Sequence, residues 1–249
     1  MSQSRLKEIS TLKTTDQKNN VFLIDLYQRG YRWTKREADA LLEDIAEFMN
    51  TQSDGFYCLQ PLTVNKRNSD AANDYWNVID GQQRLTTIYL IYLYWYHQPE
   101  RLPFQLDYPD RPEMKELLSE LLTKDADLSL QNQDVARWTV KDINCFYMWE
   151  VYQIIKNWFQ PKTKEFIEKF QKTLQEKVQV IWYDLEIDSA EENKVFRSMN
   201  SGRIFLSNDE LIKGLLLRRD NPINDNFRAQ IAFEWHLIES FLADDRLFA

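Results

Sequence analysis

Asp80, Gly81, Gln82, Gln83 and Arg84 set an acid, a glycine, two amides and a guanidinium side by side between the apolar flanks Val78-Ile79 and Leu85. Together these types offer phosphate chemistry. Arg84 presents a planar fork of donors that matches phosphate oxygens, and the two amides donate and accept hydrogen bonds without adding charge. Gly81 lets a ligand approach the backbone because no Cβ stands in the way. Asp80 could orient a water molecule or hold a metal ion.

The setting of this run strengthens the reading. Trp76 to Asp80 has the composition of a strand, and Leu85 to Tyr96 is apolar almost all round, as in a deeply buried helix. A helix that starts there exposes backbone N–H groups that attract anions. A second reading stands beside it, because Asp80 and Gln83 also have the D-x-x-Q spacing of a helix capping box. Arg84 favours the anion: a cation in the first helical turn opposes the helix dipole by about 0.3 to 1 kcal/mol.

Two further segments combine glycine with reactive types. Gln28 to Trp33 (QRGYRW) joins a strand to a helix, and Tyr31 or Trp33 could stack a base while Arg29 or Arg32 meets phosphate. The same residues fit a solvated basic turn with its aromatics packed in the core. Phe196 to Lys213 (FRSMNSGRIFLSNDELIK) reads as helix, tight turn, helix, with Gly202 as a C-cap and Ser207 with Glu210 as a capping box. It also fits a plain helical hairpin that carries Asn200 and Lys213 as passengers.

The elements that must hold these segments follow from periodicity. Val21–Asp25, Tyr57–Lys66, Trp76–Asp80 and Val178–Leu185 are expected strands, and Lys35–Met49 is an amphipathic helix. Helices are expected over 113–122, 135–159, 163–175, 190–200, 208–219 and 227–242. This divides the chain into a polar, loosely ordered start at 1–20, an α/β core at 21–110 and a mostly helical part at 111–249 that returns one strand. Leu102 to Pro112, with its three prolines, marks the boundary.

Composition agrees. The chain has 249 residues, is 43% hydrophobic and 14% aromatic, and has only 5 glycines and 7 prolines, which favours a folded, helix-rich protein. A formal charge of -8 argues against coating nucleic acid through the overall field, although Arg29, Arg32, Lys35 and Arg36 could form a local basic patch for DNA. Cys58 and Cys145 lie far apart with no CxxC partner, so they are expected as reduced core residues. The N-terminus lacks the apolar run of a signal peptide, and the run Ile88 to Tyr96 is too short to cross a bilayer, so a cytoplasmic protein without membrane contact is expected.

In their order, QRGYRW, VIDGQQRLTT and the Asn-x-Gly-x-x-x-Leu-Ser pattern of Asn200 to Ser207 resemble the N-terminal domain of GmrSD-type restriction proteins, over about Val21 to Phe241. The resemblance implies an α+β fold with a small mixed β-sheet of ParB/sulfiredoxin-like type and a large helical extension. It implies binding and hydrolysis of a nucleoside triphosphate with Mg²⁺, regulating defence against foreign or modified DNA. Asp80, Gln83 and Arg84 then become the catalytic candidates, with Asp80 also the candidate metal ligand. Gln28, Arg29, Tyr31, Trp33, Gly81, Gln82, Thr86, Asn200 and Lys213 become the candidate nucleotide contacts, and Arg32, Lys35 and Arg36 the candidate DNA contacts.

Relatives often add an HNH-type nuclease in a C-terminal domain. Here His97 and His236 form no nuclease-like cluster, and the chain ends at DDRLFA within an expected helix end, as a piece of a longer protein would. The implied partners are a nucleoside triphosphate, DNA, and a nuclease domain or subunit supplied beyond these residues. Two alternatives to the triphosphatase remain: a non-catalytic DNA sensor that uses QRGYRW and the adjoining basic residues, and, more weakly supported, DNA nicking by the domain itself.

Overall fold

The computed structural model describes residues 3–12, 14–15, 18–51, 55–123, 142–188, 191–192 and 194–196, together with 224, 227, 230, 231, 234 and 235. Among these residues the fold is α+β. One mixed sheet contains β1 (Gln3–Glu8), β2 (Thr14–Thr15), β3 (Lys18–Leu23), β4 (Tyr57–Lys66), β5 (Asn73–Asp80), β6 (Gln105–Asp107) and β7 (Val178–Asp184). Its order is β1-β7-β4-β5-β3-β2, with β6 also pairing β3. The pairs β4/β7, β3/β5 and β3/β6 are parallel, and β1/β7, β4/β5 and β2/β3 are antiparallel.

The sheet is larger than the four strands expected, because short or polar segments join its edges. Residues 3–8 (QSRLKE), expected to be loosely ordered, run antiparallel along β7 from Gln3↔Asp184 to Glu8↔Gln179. An edge strand needs little apolar content, since one flank of its backbone ladder faces no partner strand. Ile9 and Leu12 follow in a 3-10 turn and are fully buried, which fastens this segment to the core.

Five helices are described: α1 (Lys35–Asn50), α2 (Gln82–Trp95), α3 (Pro112–Thr123), α4 (Ile143–Phe159) and α5 (Lys164–Glu176). α1 begins with a capping box in which Glu37 bonds both the backbone and the hydroxyl of Thr34, at 2.9 and 2.7 Å. Ala38, Leu41, Leu42, Ile45 and Met49 form its buried stripe. α2 is buried from Leu85 through Leu93, as its all-round apolar sequence requires. Each of its Leu and Ile side chains adds about 1.5–3 kcal/mol of burial, which makes α2 the anchor of the core.

Aromatic rings join these layers. Trp76 and Phe22 both meet Trp182 edge to face, with centroids 5.0 and 6.0 Å away, and the Lys7 ammonium lies 3.5 Å from the Trp182 centroid. At the far end of α2, Trp95 packs on Phe159 of α4 and Phe170 of α5. Both cysteines are free. Cys145 is buried as expected, whereas Cys58 is exposed, on the outward face of the alternating strand β4. Among the described residues, no helix is long and apolar enough to cross a membrane.

Candidate functional site

The site is built where β5 turns into α2. Gly81 stands between them at φ +96°, a left-handed conformation that glycine adopts without strain. A Cβ there would lie 3.1 Å from both the Pro61 carbonyl oxygen and Leu62 Cδ1, so space and backbone both require glycine. Gly81 is the N-cap of α2, and the helix has no side-chain cap. This corrects the D-x-x-Q reading: the N-cap falls one residue after Asp80, and Gln83 is turned to a different task.

That task is to hold the QRGYRW loop. Gln83 Oε1 accepts the backbone N–H of Arg32 at 2.8 Å and of Trp33 at 3.3 Å, while its Nε2 donates to the Gly30 carbonyl at 2.9 Å. Gln82 Nε2 donates to the Arg29 carbonyl at 2.9 Å. In the other direction, Gln28 Nε2 donates to the Val78 carbonyl of β5. The two motifs, some fifty residues apart in sequence, are therefore one structural unit, stitched by side chains of each to the backbone of the other.

Arg84 is tied to β4. Its Nη1 donates to Gln60 Oε1 at 2.6 Å and its Nη2 to the Pro61 carbonyl at 2.7 Å. Pro61 lies where the β4/β7 register shifts, between Leu59 and Leu62, so it is outside the regular pairing. The cation in the first turn of α2 thus has acceptors within the protein, and the dipole argument alone does not demand a bound anion. Asp80 is half-buried at the end of β5, in register with Thr63.

Several of the expected contact residues are buried. Tyr31 is 1% exposed and its hydroxyl pairs with Thr87 Oγ1 at 2.7 Å, so its ring offers no face to a base. Thr86 is fully buried, with its hydroxyl 2.7 Å from Tyr108 Oη and 2.8 Å from the Gln82 carbonyl. Burial pushes the Tyr31 and Tyr108 phenols well above their ordinary range, so both remain neutral hydrogen-bonding groups. Gln28 is also buried, and Trp33 is partly buried against the core.

Arg29, Lys35 and Arg36 are exposed, and Arg32 is half-buried with its guanidinium 5.6 Å from the Tyr147 ring centroid. Lys35 forms an exposed ion pair with Asp39 at 2.6 Å. Asn200 and Lys213, like nearly all of the third motif, lie outside the described residues.

Two residues outside every motif hold this region, and neither carries a local sequence signal. Glu192 is 1% exposed, and its carboxylate accepts from Asn65 Nδ2 at 2.6 Å, Asn77 Nδ2 at 2.8 Å and Arg67 Nη2 at 3.1 Å. Asn65 also grips Ile187 by both backbone groups, at 2.9 and 3.1 Å. The chain leaving β7 is thereby pinned across the middle of the sheet. The other residue is Arg111, which donates to the Gln28 carbonyl at 2.6 Å.

Among the described residues, no group of three or more His, Cys, Asp or Glu side chains could hold a metal ion. A single carboxylate is nevertheless the ordinary protein share of a Mg²⁺ site in which phosphates supply other ligands. No curated protein matches the chain. The model of the GmrSD restriction endonuclease N-terminal domain matches residues 9–217, which include every strand of the sheet except β1, the glycine turn into α2 and the loop stitched to it, and the chain belongs to this family of restriction-system proteins.

Proposed function

We propose that this domain binds a nucleoside triphosphate with its phosphates at the start of α2, and hydrolyses it as the regulatory step of a DNA restriction system. The observation that carries the reading is the Asp80–Gly81–Gln82 junction. A buried helix starts there from a left-handed glycine N-cap, which has no side chain to bond the first amides. Such a terminus favours negative charge through its N–H groups and dipole.

The neighbouring side chains fit the chemistry. Exposed Arg29 and half-buried Arg32 belong to the loop that Gln82 and Gln83 hold beside this junction. Arg84 positions the turn through β4 and offers positive charge near the phosphates. Water attacks the γ-phosphorus, the bond to the bridging oxygen breaks, and the nucleoside diphosphate leaves. Asp80 orients that water and takes up its proton, or would be the residue that holds Mg²⁺. Bound there, Mg²⁺ supplies neutralisation of the charge that develops on the phosphates. Gln83 acts in this scheme by holding the loop, because its amide is engaged with backbone on both sides.

The test is phosphate release from each common nucleoside triphosphate with Mg²⁺, with and without DNA, for the wild type, Arg84→Ala and Asp80→Asn. Turnover that the variants lose supports the reading, and binding without turnover removes the catalytic part. A DNA sensor is the second reading, favoured by exposed Arg29, Lys35 and Arg36 around the start of α1. It requires DNA affinity that falls steeply with salt and persists in Asp80→Asn.

A further inference from the structure

Arg111 stands immediately before Pro112 and α3, outside every motif, with a side chain that reaches the loop at Gln28. It is 8% exposed. Nη2 donates to the Gln28 carbonyl at 2.6 Å and makes a longer contact of 3.5 Å with the Leu26 carbonyl. Both acceptors are backbone atoms of the segment that leads from β3 into QRGYRW.

The arrangement is a poor device for stability. Arg111 Nη1, Gln28 Oε1 and Asn144 Oδ1 are all buried without a hydrogen-bond partner among the described residues. A buried cation that is incompletely hydrogen-bonded contributes little to stability, and an apolar side chain of similar size often serves as well. Burial pulls the Arg111 pKa down, while the Asp142 carboxylate and the Tyr108 phenol push it back up. What the guanidinium does supply is direction, since its planar fork fixes where the Gln28 carbonyl can sit.

Asn144 constrains the same loop two residues later. Its Nδ2 and backbone N–H both donate to Asp142 Oδ1, at 2.7 and 2.6 Å, which fixes its rotamer at the start of α4. Its Oδ1 fills the space at Gly30, where an added Cβ would lie 1.9 Å away. Loop residues 28–30 are thus bounded by one residue before α3 and one at the start of α4, in addition to the amides of α2.

We propose that Arg111 is a positioning residue for the nucleotide site: it sets the QRGYRW loop from the helical half of the chain, as a clamp separate from Gln82 and Gln83. The inference rests on the nucleotide reading given above. Through it the helical half, which the motifs leave without a role in the site before residue 196, gains a direct hold on the backbone that leads into the arginines of the loop.

The test uses Arg111→Met, which keeps an apolar stem without donors, and Arg111→Lys, which keeps the charge and one donor group. Three quantities are measured on the full chain: thermal melting, amide hydrogen exchange over residues 28–33, and KM with kcat for phosphate release from ATP and GTP. Arg111→Met is expected to stay folded with melting lowered by a few degrees, to exchange its loop amides roughly tenfold faster and to raise KM about tenfold with a smaller change in kcat, with Arg111→Lys in between. Should the Met variant fail to fold, the Lys variant carries the same comparison. Loop exchange at the wild-type rate with nucleotide binding intact overturns the positioning role alone. Wild-type protein that binds no nucleotide overturns it together with the reading of the site, so the two failures are distinguishable.

Discussion

Gln83 Oε1 lies 2.8 Å from the backbone nitrogen of Arg32, so the second amide of DGQQR meets the protein's own loop where a ligand was expected. With its Nε2 on the Gly30 carbonyl, this side chain bonds Gly30, Arg32 and Trp33 of QRGYRW and uses both ends of its amide to do so. The conjunction of the two motifs in the sequence thus has a structural cause. A loop that carries Arg29 and Arg32 is useful near phosphate only if its backbone is fixed against the helix start.

Gln83→Ala is expected to destabilise the protein by about 1–3 kcal/mol, since the Arg32 N–H and the Gly30 carbonyl are left in a half-buried region without their partner. Gln83→Glu keeps the acceptor and loses the donor, so its effect on stability should be smaller while the Gly30 carbonyl faces a repelling oxygen. Urea denaturation of the two variants checks this order. Equal stability of Gln83→Ala and the wild type would show the clamp to be dispensable.

An arginine that served only a bound phosphate could be removed without loss of stability, but Arg84 also bonds Gln60 and the Pro61 carbonyl. Loss of these two charge-assisted bonds should lower stability by about 1.5–3 kcal/mol in addition to reducing turnover. Gln60→Ala separates the effects, because it removes one acceptor and leaves the guanidinium in place. Melting and phosphate release of both variants make the comparison, and a Gln60→Ala protein as inactive as Arg84→Ala would assign Arg84 a purely structural task.

Gly81→Ala is expected to cost about 1–3 kcal/mol, because it combines a positive φ with a Cβ 3.1 Å from a backbone oxygen that cannot easily move. The strain falls on the first turn of α2, so nucleotide affinity should fall along with the melting temperature. A variant with wild-type stability would contradict the assigned turn geometry.

The strand, turn and helix around Asp80 are legible in the sequence because β-branched residues, a lone glycine and an all-round apolar run follow one another without interruption. α1 is legible from its stripe of Ala38, Leu41, Leu42 and Ile45. What a one-dimensional reading misses are decisions made by distant partners. Asp80 and Gln83 have the spacing of a capping box, but Gly81 can turn left-handed, so the helix begins one residue later and Gln83 faces the loop. Tyr31 looks like a stacking platform until Thr87, on the buried side of α2, accounts for its hydroxyl. β1 looks like a polar tail because the β7 edge that orders it is some 170 residues away. Arg111 and Glu192 carry no local pattern, since each acts through acceptors or donors on other segments.

Glu192 supplies a further test. Its carboxylate is buried among Asn65, Asn77 and Arg67, and Arg67 also lies 3.9 Å from Asp25. Glu192→Ala leaves the two amides and the guanidinium without their common acceptor and should cost about 3–5 kcal/mol, the range for breaking a buried charge pair from one side. Glu192→Gln retains one acceptor oxygen and should cost less. Chemical denaturation measures both, and a Glu192→Ala variant within about 1 kcal/mol of the wild type would place the cluster outside the folding core.

Asp80→Asn bears most directly on the chemistry, because the structure removes its simplest structural explanation. Asp80 precedes the N-cap Gly81, so the D-x-x-Q capping box does not account for its carboxylate. The substitution is nearly isosteric, and the half-buried position tolerates either group, so melting is expected to change by only a few degrees for a loss of about 1 kcal/mol or less. Turnover is a different matter. If Asp80 takes the proton of the attacking water or holds Mg²⁺, the lost negative charge should lower phosphate release by roughly 10²-fold or more, the usual contribution of a positioned acid–base group. The decisive measurement sets thermal melting beside triphosphate hydrolysis for Asp80→Asn and wild type at equal Mg²⁺, with nucleotide binding measured on the same samples. A folded variant that binds nucleotide and does not hydrolyse it places Asp80 at the reacting phosphate. A variant that hydrolyses at the wild-type rate excludes Asp80 from the chemistry and leaves the start of α2 as a binding site without a catalytic carboxylate.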